Sequence, residues 1–190
     1  MGCFSDKKEA RAFFLPKRRA IDTDAVKQRS AILCAHIEEL DAFLSADTVL
    51  IYSPTKNEPD LTAVAQKAWA MGKNVAFPIS LTDSCTLDFR VVGSPDELQG
   101  GAYGIYEPSK DAPKATLTER TLCVVPAMAV DKNGFRLGYG KGYYDRFLKD
   151  FSGTSVCALL NDFSCENIPH DENDVPVDIT IFETGVVKAK

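Results

Sequence analysis

The sequence predicts an α/β protein: a single three-layer α/β/α domain over residues 1–190, with a largely parallel open sheet. Three observations predict it. Short apolar runs rich in β-branched residues, such as "TVLIYSP" (48–54) and "TLCVVPAMAVD" (121–131), read as buried strands. Amphipathic segments with cap residues separate such runs. The chain has 190 residues and 45% hydrophobic content, enough for one full core.

Taken in order, residues 7–20 have helical character but contain Pro16, which is expected to end or kink the helix. Asp22 is placed as an N-cap, with Ile21 and Val26 as a hydrophobic staple. Val26, Leu33, Ile37, Leu40 and Leu44 share one face, so the spacing predicts a helix over 23–44. A strand follows at 48–54. Asp60 caps a helix that Gly72 ends. "NVAFPIS" (74–80) and "TLDFRVV" (86–92) read as further strands, and the Gly- and Pro-rich 94–113 as a long surface loop with a short helical turn. Residues 121–131 form a buried strand and "KNG" a turn. Tyr143, Tyr144, Phe147, Leu148 and Phe151 then recur at helical spacing, and late strands fall at 155–161 and 178–184.

Composition excludes several classes. A net charge of −5 argues against general nucleic-acid affinity, although "KKEARAFFLPKRR" (7–19) gathers basic residues that read most simply as a solvated helix face. The six cysteines, Cys3, Cys34, Cys85, Cys123, Cys157 and Cys165, form no CxxC pair, and reduced, buried thiols are expected. No signal-peptide core or membrane-length apolar run is present. A cytoplasmic enzyme or binding protein is expected, with no nucleic-acid or membrane partner.

The densest motif is "RLGYGKGYYDRF" (136–147), with glycines at 138, 140 and 142. It is neither a Walker A loop nor a GxGxxG fingerprint, because its spacing is G-x-G-x-G. A buried strand leads through a turn into this run, which opens a helix. Backbone N–H groups there can converge on an anion, beside the charges of Arg136, Lys141 and Arg146. A phosphate cradle is one reading and a plain mobile turn the other. Asp145 is either a carboxylate favoured by the helix dipole or a magnesium ligand. Glu58 directly follows the first strand, where ligands of open α/β sheets gather, but a solvated loop glutamate has the same signature. "NDVPVD" (173–178) offers Asp174 and Asp178 in an acidic loop. Two histidines are too few for a metal cluster, and no G-x-S-x-G elbow marks a serine hydrolase.

These residues resemble the 5-formyltetrahydrofolate cyclo-ligase family nearly end to end. The resemblance is carried by "VVPAMAVDKNGF" leading into "RLGYGKGYYDRF", with "RRAI", "IYSPTKNEPD", "GAYGIYEP" and "NDVPVD" in the family's order. It implies an ATP-dependent, magnesium-requiring ring closure of 5-formyltetrahydrofolate, in a protein expected to be a monomer. By the same resemblance, ATP would be bound by Lys7, Arg11 and the run Arg136, Leu137, Gly138, Tyr139, Gly140, Lys141, Gly142, Tyr143 and Tyr144. Arg136 and Lys141 would be the catalytic cations. Ser53, Glu58, Tyr103 and residues 138–142 would bind the folate, with Glu58 on the pterin edge. Asp145 and Asp174 would hold Mg²⁺. Many relatives have glycine where this chain has Lys141. Two rival classes fit the residues less fully: a sugar-phosphate isomerase using the glycine cradle without ATP, and an RNA-binding module using the basic start.

Overall fold

A computed structural model describes residues 4–55 and 57–188. Helix α1 (Lys7–Ala20) is capped by Asp6, whose side chain accepts the N–H of Glu9. Pro16 neither ends nor splits it, contrary to expectation. Pro16 and Ala12 are both exposed, so water can satisfy the Ala12 carbonyl that the proline leaves without a donor. Ala10, Phe14 and Arg18 form the buried stripe that holds the helix in place. Asp22 caps α2 (Thr23–Glu38) by accepting from Asp24 and Ala25. The predicted helix over 23–44 breaks at Leu40, whose backbone is extended. The short α3 (Asp41–Ser45) then buries Phe43 completely and leaves Leu44 half exposed.

Next come β1 (Thr48–Leu50), α4 (Thr62–Ala70), β2 (Asn74–Leu81) and β3 (Thr86–Val92). Asp60 accepts from the Thr62 N–H and hydroxyl at the start of α4. Pro78 sits inside β2 without loss, because β1 pairs only as far as Ala76 and leaves no ladder bond for it to miss. The expected loop at 94–113 contains a hairpin, β4 (Leu98–Gly100) with β5 (Tyr106–Pro108). The expected strand over 121–131 is two strands in different sheets, β6 (Thr121–Val124) and β7 (Ala129–Asp131). Pro126 lies between them, where a residue without an N–H cannot continue a ladder. There follow β8 (Arg136–Leu137), α5 (Tyr143–Leu148), β9 (Thr154–Ala158), β10 (Ser164–Cys165), β11 (Ile179–Phe182) and β12 (Gly185–Lys188).

The main sheet has seven strands in the order β12-β11-β9-β6-β1-β2-β3. Its inner strands run parallel, and antiparallel β12 and β3 close its two edges. Helices α2 and α4 pack together, against β11 and β2 respectively, while α5 packs on β3 and α1 on β8. A second, three-stranded sheet has the order β10-β7-β8. One cluster of buried apolar residues runs from Ala10 to Ile181. Cys34, Cys85, Cys123, Cys157 and Cys165 are free; Cys85 and Cys165 are only half-buried, and Cys3 lies outside the described residues.

Candidate functional site

The strand order reverses between β1 and β6. The chain goes from β1 to β2 on one side, then returns to place β6, β9 and β11 on the other. A crevice opens where two neighbouring connections leave in opposite directions. A cleft of about 790 Å³ occupies that place, lined by Tyr52, Ser53, Thr55 and Glu58 after β1 and by Pro126 after β6.

The glycine run forms one wall. Gly140 has φ +100° and Gly142 φ +68°, backbone that a side chain would strain. Among the described residues, the N–H groups of 138–142 find no acceptor, so they remain free for a ligand. Helix α5 has only six residues, so these amides, rather than the expected helix dipole, are the neutral donors here. Arg11 reaches across from α1 and donates its Nε to the Gly138 carbonyl at 2.8 Å. Arg146 donates to the carbonyls of Lys141 and Cys85 and holds the other end of the run.

Arg136 is 8% exposed and still lines the cleft. Its Nη2 donates to Asp145 Oδ1 at 2.9 Å and to the Val175 carbonyl at 3.0 Å, while its buried Nε has no partner among the described residues. Lys7 is ion-paired with Asp174. Asp174 also accepts the Asp171 N–H at 2.7 Å. Because the Val175 N–H lies 3.5 Å from Asp145 Oδ1, Asp145 and Asp174 belong to the same corner of the cleft. Asp178 is turned elsewhere and clamps Ser155 of β9.

Glu58 is 6% exposed. Its Oε2 accepts the Thr55 N–H at 2.9 Å and the Thr55 hydroxyl at 3.1 Å. Burial pushes its carboxyl above the ordinary glutamate value, and the Thr55 N–H and the Arg18 charge pull it back. Tyr139 is half exposed, but its hydroxyl end faces Glu58; burial and then that carboxylate push the phenol up to about 12. Ser53 donates to the Tyr106 carbonyl at 2.7 Å, tying the β4–β5 hairpin to the cleft. Tyr103, at φ 59°, stands exposed at the rim with its hydroxyl 3.3 Å from that of Tyr143.

The structure thus brings together every expected site residue except Leu137. Leu137 is fully buried, and its carbonyl accepts the Met128 N–H, so it offers the cleft nothing. Sequence reasoning missed Glu107, buried beneath the hairpin and accepting the Ser80 N–H at 3.0 Å. It also missed Arg18. Arg18 follows Ala10 and Phe14 at four-residue steps, and that spacing was the available signal of a buried position.

An open, mostly parallel sheet with free amides and cations at its switch point defines an α/β protein whose cleft has the chemistry suited to an anionic ligand. The family model described as 5-formyltetrahydrofolate cyclo-ligase family matches residues 4–183, and the chain belongs to that family. A 5-formyltetrahydrofolate cyclo-ligase of Mycolicibacterium smegmatis is 28% identical over 175 residues, covering 89% of each chain. One of Haemophilus influenzae is 31% identical over 139 residues, covering 70% of this chain and 73% of the relative. The solved structure of Aquifex aeolicus 5,10-methenyltetrahydrofolate synthetase superimposes with a TM-score of 0.82 at 31% identity, covering 97% of this chain and 93% of that one.

Proposed function

We propose that this chain closes 5-formyltetrahydrofolate to 5,10-methenyltetrahydrofolate at the expense of ATP, releasing ADP and phosphate. The names of its relatives support the reaction. The observation that carries it is convergence: Glu58, the glycine run and the Asp145–Asp174 corner lie far apart in sequence and line one cleft. A pterin edge, a triphosphate and a divalent cation ask for those three kinds of surface.

In this reading the free amides of 138–142, with Arg136, Lys141, Lys7 and Arg11, hold the phosphates, and Tyr143 and Tyr144 flank them. Glu58 accepts from the N–H edge of the pterin, with Ser53 and Tyr103 beside it. Asp145 and Asp174 suit Mg²⁺, which takes one or two carboxylates and completes its shell with phosphate oxygens and water. No group of three or more candidate ligands occurs among the described residues, which would suit a metal wanting a full protein cage. When bound, Mg²⁺ would neutralise charge on the phosphates.

The formyl oxygen attacks the γ-phosphorus of ATP, and the bond to the ADP oxygen breaks. Nitrogen N10 then attacks the activated formyl carbon. The carbon–oxygen bond breaks, phosphate leaves, and the N10 proton is given up to solvent. The nucleophiles belong to the substrate, so the side chains position and neutralise rather than transfer a proton.

The free thiols among the described residues fit a reducing compartment such as the cytoplasm, and a monomer is proposed with it. Mixing the protein with Mg-ATP and 5-formyltetrahydrofolate should raise the near-ultraviolet absorbance of the methenyl product. Folded protein that gives no ATP-dependent rise would overturn the proposal.

A further inference from the structure

We infer that Arg18 is a positioning residue for folate recognition: from beneath the cleft its guanidinium fixes the charge and the aim of the Glu58 carboxylate. The inference rests on Glu58 being the carboxylate that receives the pterin.

Arg18 occupies a core position. It is 1% exposed, on the same buried stripe as Ala10 and Phe14. A buried guanidinium needs compensation for both its donors and its charge. Its Nη2 donates to the carbonyls of Ala127 at 2.9 Å and Met128 at 3.0 Å, and its carbon Cζ lies 4.6 Å from the Phe163 ring centroid. These partners are neutral. Among the described residues, the carboxylate within ion-pair range is Glu58, whose Oε1 lies 3.9 Å from Nη1. Among the described residues Nη1 and Nε find no hydrogen-bond partner, so the side of the fork facing Glu58 is left unspent on backbone.

The two residues are also joined through the chain. Asn57, next to Glu58, donates its Nδ2 to the Arg18 carbonyl at 3.1 Å and to the Ile21 carbonyl at 3.0 Å. It does so from φ 62°, a conformation non-glycine residues seldom adopt. The loop that carries Glu58 is therefore stitched to the last turn of α1. Thr55 takes both lone pairs of Oε2 and Arg18 faces Oε1, so Oε1 is the oxygen left to accept from a ligand.

Among the described residues, Arg18 is the cation that acts most strongly on Glu58. The other groups acting on it are Tyr139 from the glycine run, Tyr52 after β1, Tyr144 from α5 and Cys157 from β9. Without Arg18, less would offset burial, and the carboxyl would take up a proton at still higher pH. A protonated glutamate has an O–H where the ligand needs an acceptor.

A plain anchoring role for Arg18 makes a different prediction. Arg18 holds α1, and α1 carries Lys7 and Arg11, so an anchor would affect ATP as much as folate. Binding of 5-formyltetrahydrofolate and of Mg-ATP should be measured separately by calorimetry from about pH 5, just above the ordinary glutamate value, up to about pH 8. The proteins are wild type, Arg18→Met, Arg18→Lys, Glu58→Gln and the double variant Arg18→Met/Glu58→Gln. Arg18→Met should weaken folate binding about tenfold or more, increasingly as pH falls, and change Mg-ATP binding by less than about twofold. The double variant should bind folate no worse than Glu58→Gln alone. Arg18→Lys keeps the charge and should keep the wild-type pH profile. Equal losses of folate and ATP, or additive losses in the double variant, would overturn the inference. If Glu58→Gln binds folate normally, it is the reading of Glu58 that fails. If Arg18→Met does not fold, Arg18→Lys decides: a folate loss as deep as that of Glu58→Gln counts against the inference.

Discussion

Lys7 and Asp174 stand 167 positions apart and are ion-paired across one corner of the cleft. Arg136 and Asp145 form a second pair close by. In the proposed roles, each pair joins a phosphate-binding cation to a metal-binding carboxylate. In that corner of the cleft the two pairs therefore balance each other's charge. A complex carrying both signs, such as Mg-ATP, can replace both pairs together, whereas a lone ion would leave one member of a pair stranded.

Asp174→Asn should consequently blunt the gain that magnesium brings to ATP binding, while metal-free ATP binds at least as well as to wild type. Calorimetric titration with and without Mg²⁺ measures both. An unchanged magnesium gain would remove Asp174 from the metal site.

Glu58→Gln should raise the KM for 5-formyltetrahydrofolate about tenfold or more and leave the KM for ATP close to wild type. Acid should act in the same direction on the wild-type protein. Because burial raises this carboxyl, its charged form is lost earlier on acidification than for an ordinary glutamate. The folate KM should thus climb as pH falls, and that climb should be missing from Glu58→Gln.

Lys141 is exposed in the cleft, so its charge acts through solvent. Lys141→Gly should raise the KM for ATP about three- to fivefold, with the effect fading at high salt. Steady-state kinetics at two ionic strengths would show it, and an unchanged KM would assign Lys141 no role with the phosphates.

Gly142→Ala should cost about 1 kcal/mol of stability through its backbone alone, and the new Cβ would meet Arg146 Nη1 at 3.1 Å. Gly142→Asn tolerates φ +68° better and should melt closer to wild type. Thermal unfolding of the two variants compares them, and equal melting temperatures would mean that the backbone conformation is not what requires glycine.

Leu137→Ala should lower stability by about 2–5 kcal/mol, as for a large core side chain, and leave the ATP KM of the remaining folded protein unchanged. Denaturant unfolding and kinetics separate the two effects. A selective loss of ATP affinity would return Leu137 to the cleft.

Much of this was legible in the sequence because it is local. Asp22 caps its helix as its spacing suggests, and the β-branched runs place the strands. What failed was decided at a distance. Pro16 reads as a helix breaker until the exposure of Ala12 is known. The helix over 23–44 breaks because Phe43, not Leu44, is the residue the core accepts. The run 121–131 is uniformly apolar, and only the partners of β6 and β7 reveal two sheets. Within the site, the glycine run and Glu58 stood out by composition and position. Arg18 did not, because a cation among cations reads as surface. Its burial depends on carbonyls more than 100 residues away, at Ala127 and Met128.

The bond from Arg11 to the Gly138 carbonyl also orders events during synthesis. The shape of the glycine run is set partly by a helix made well before it in chain order, and Lys7 must wait longer still for Asp174 to emerge. Helix α1 can form early but has nowhere to dock. Its buried stripe of Ala10, Phe14 and Arg18 stays wet until the strands beneath it exist, so the cleft would be among the last parts of the molecule to assemble.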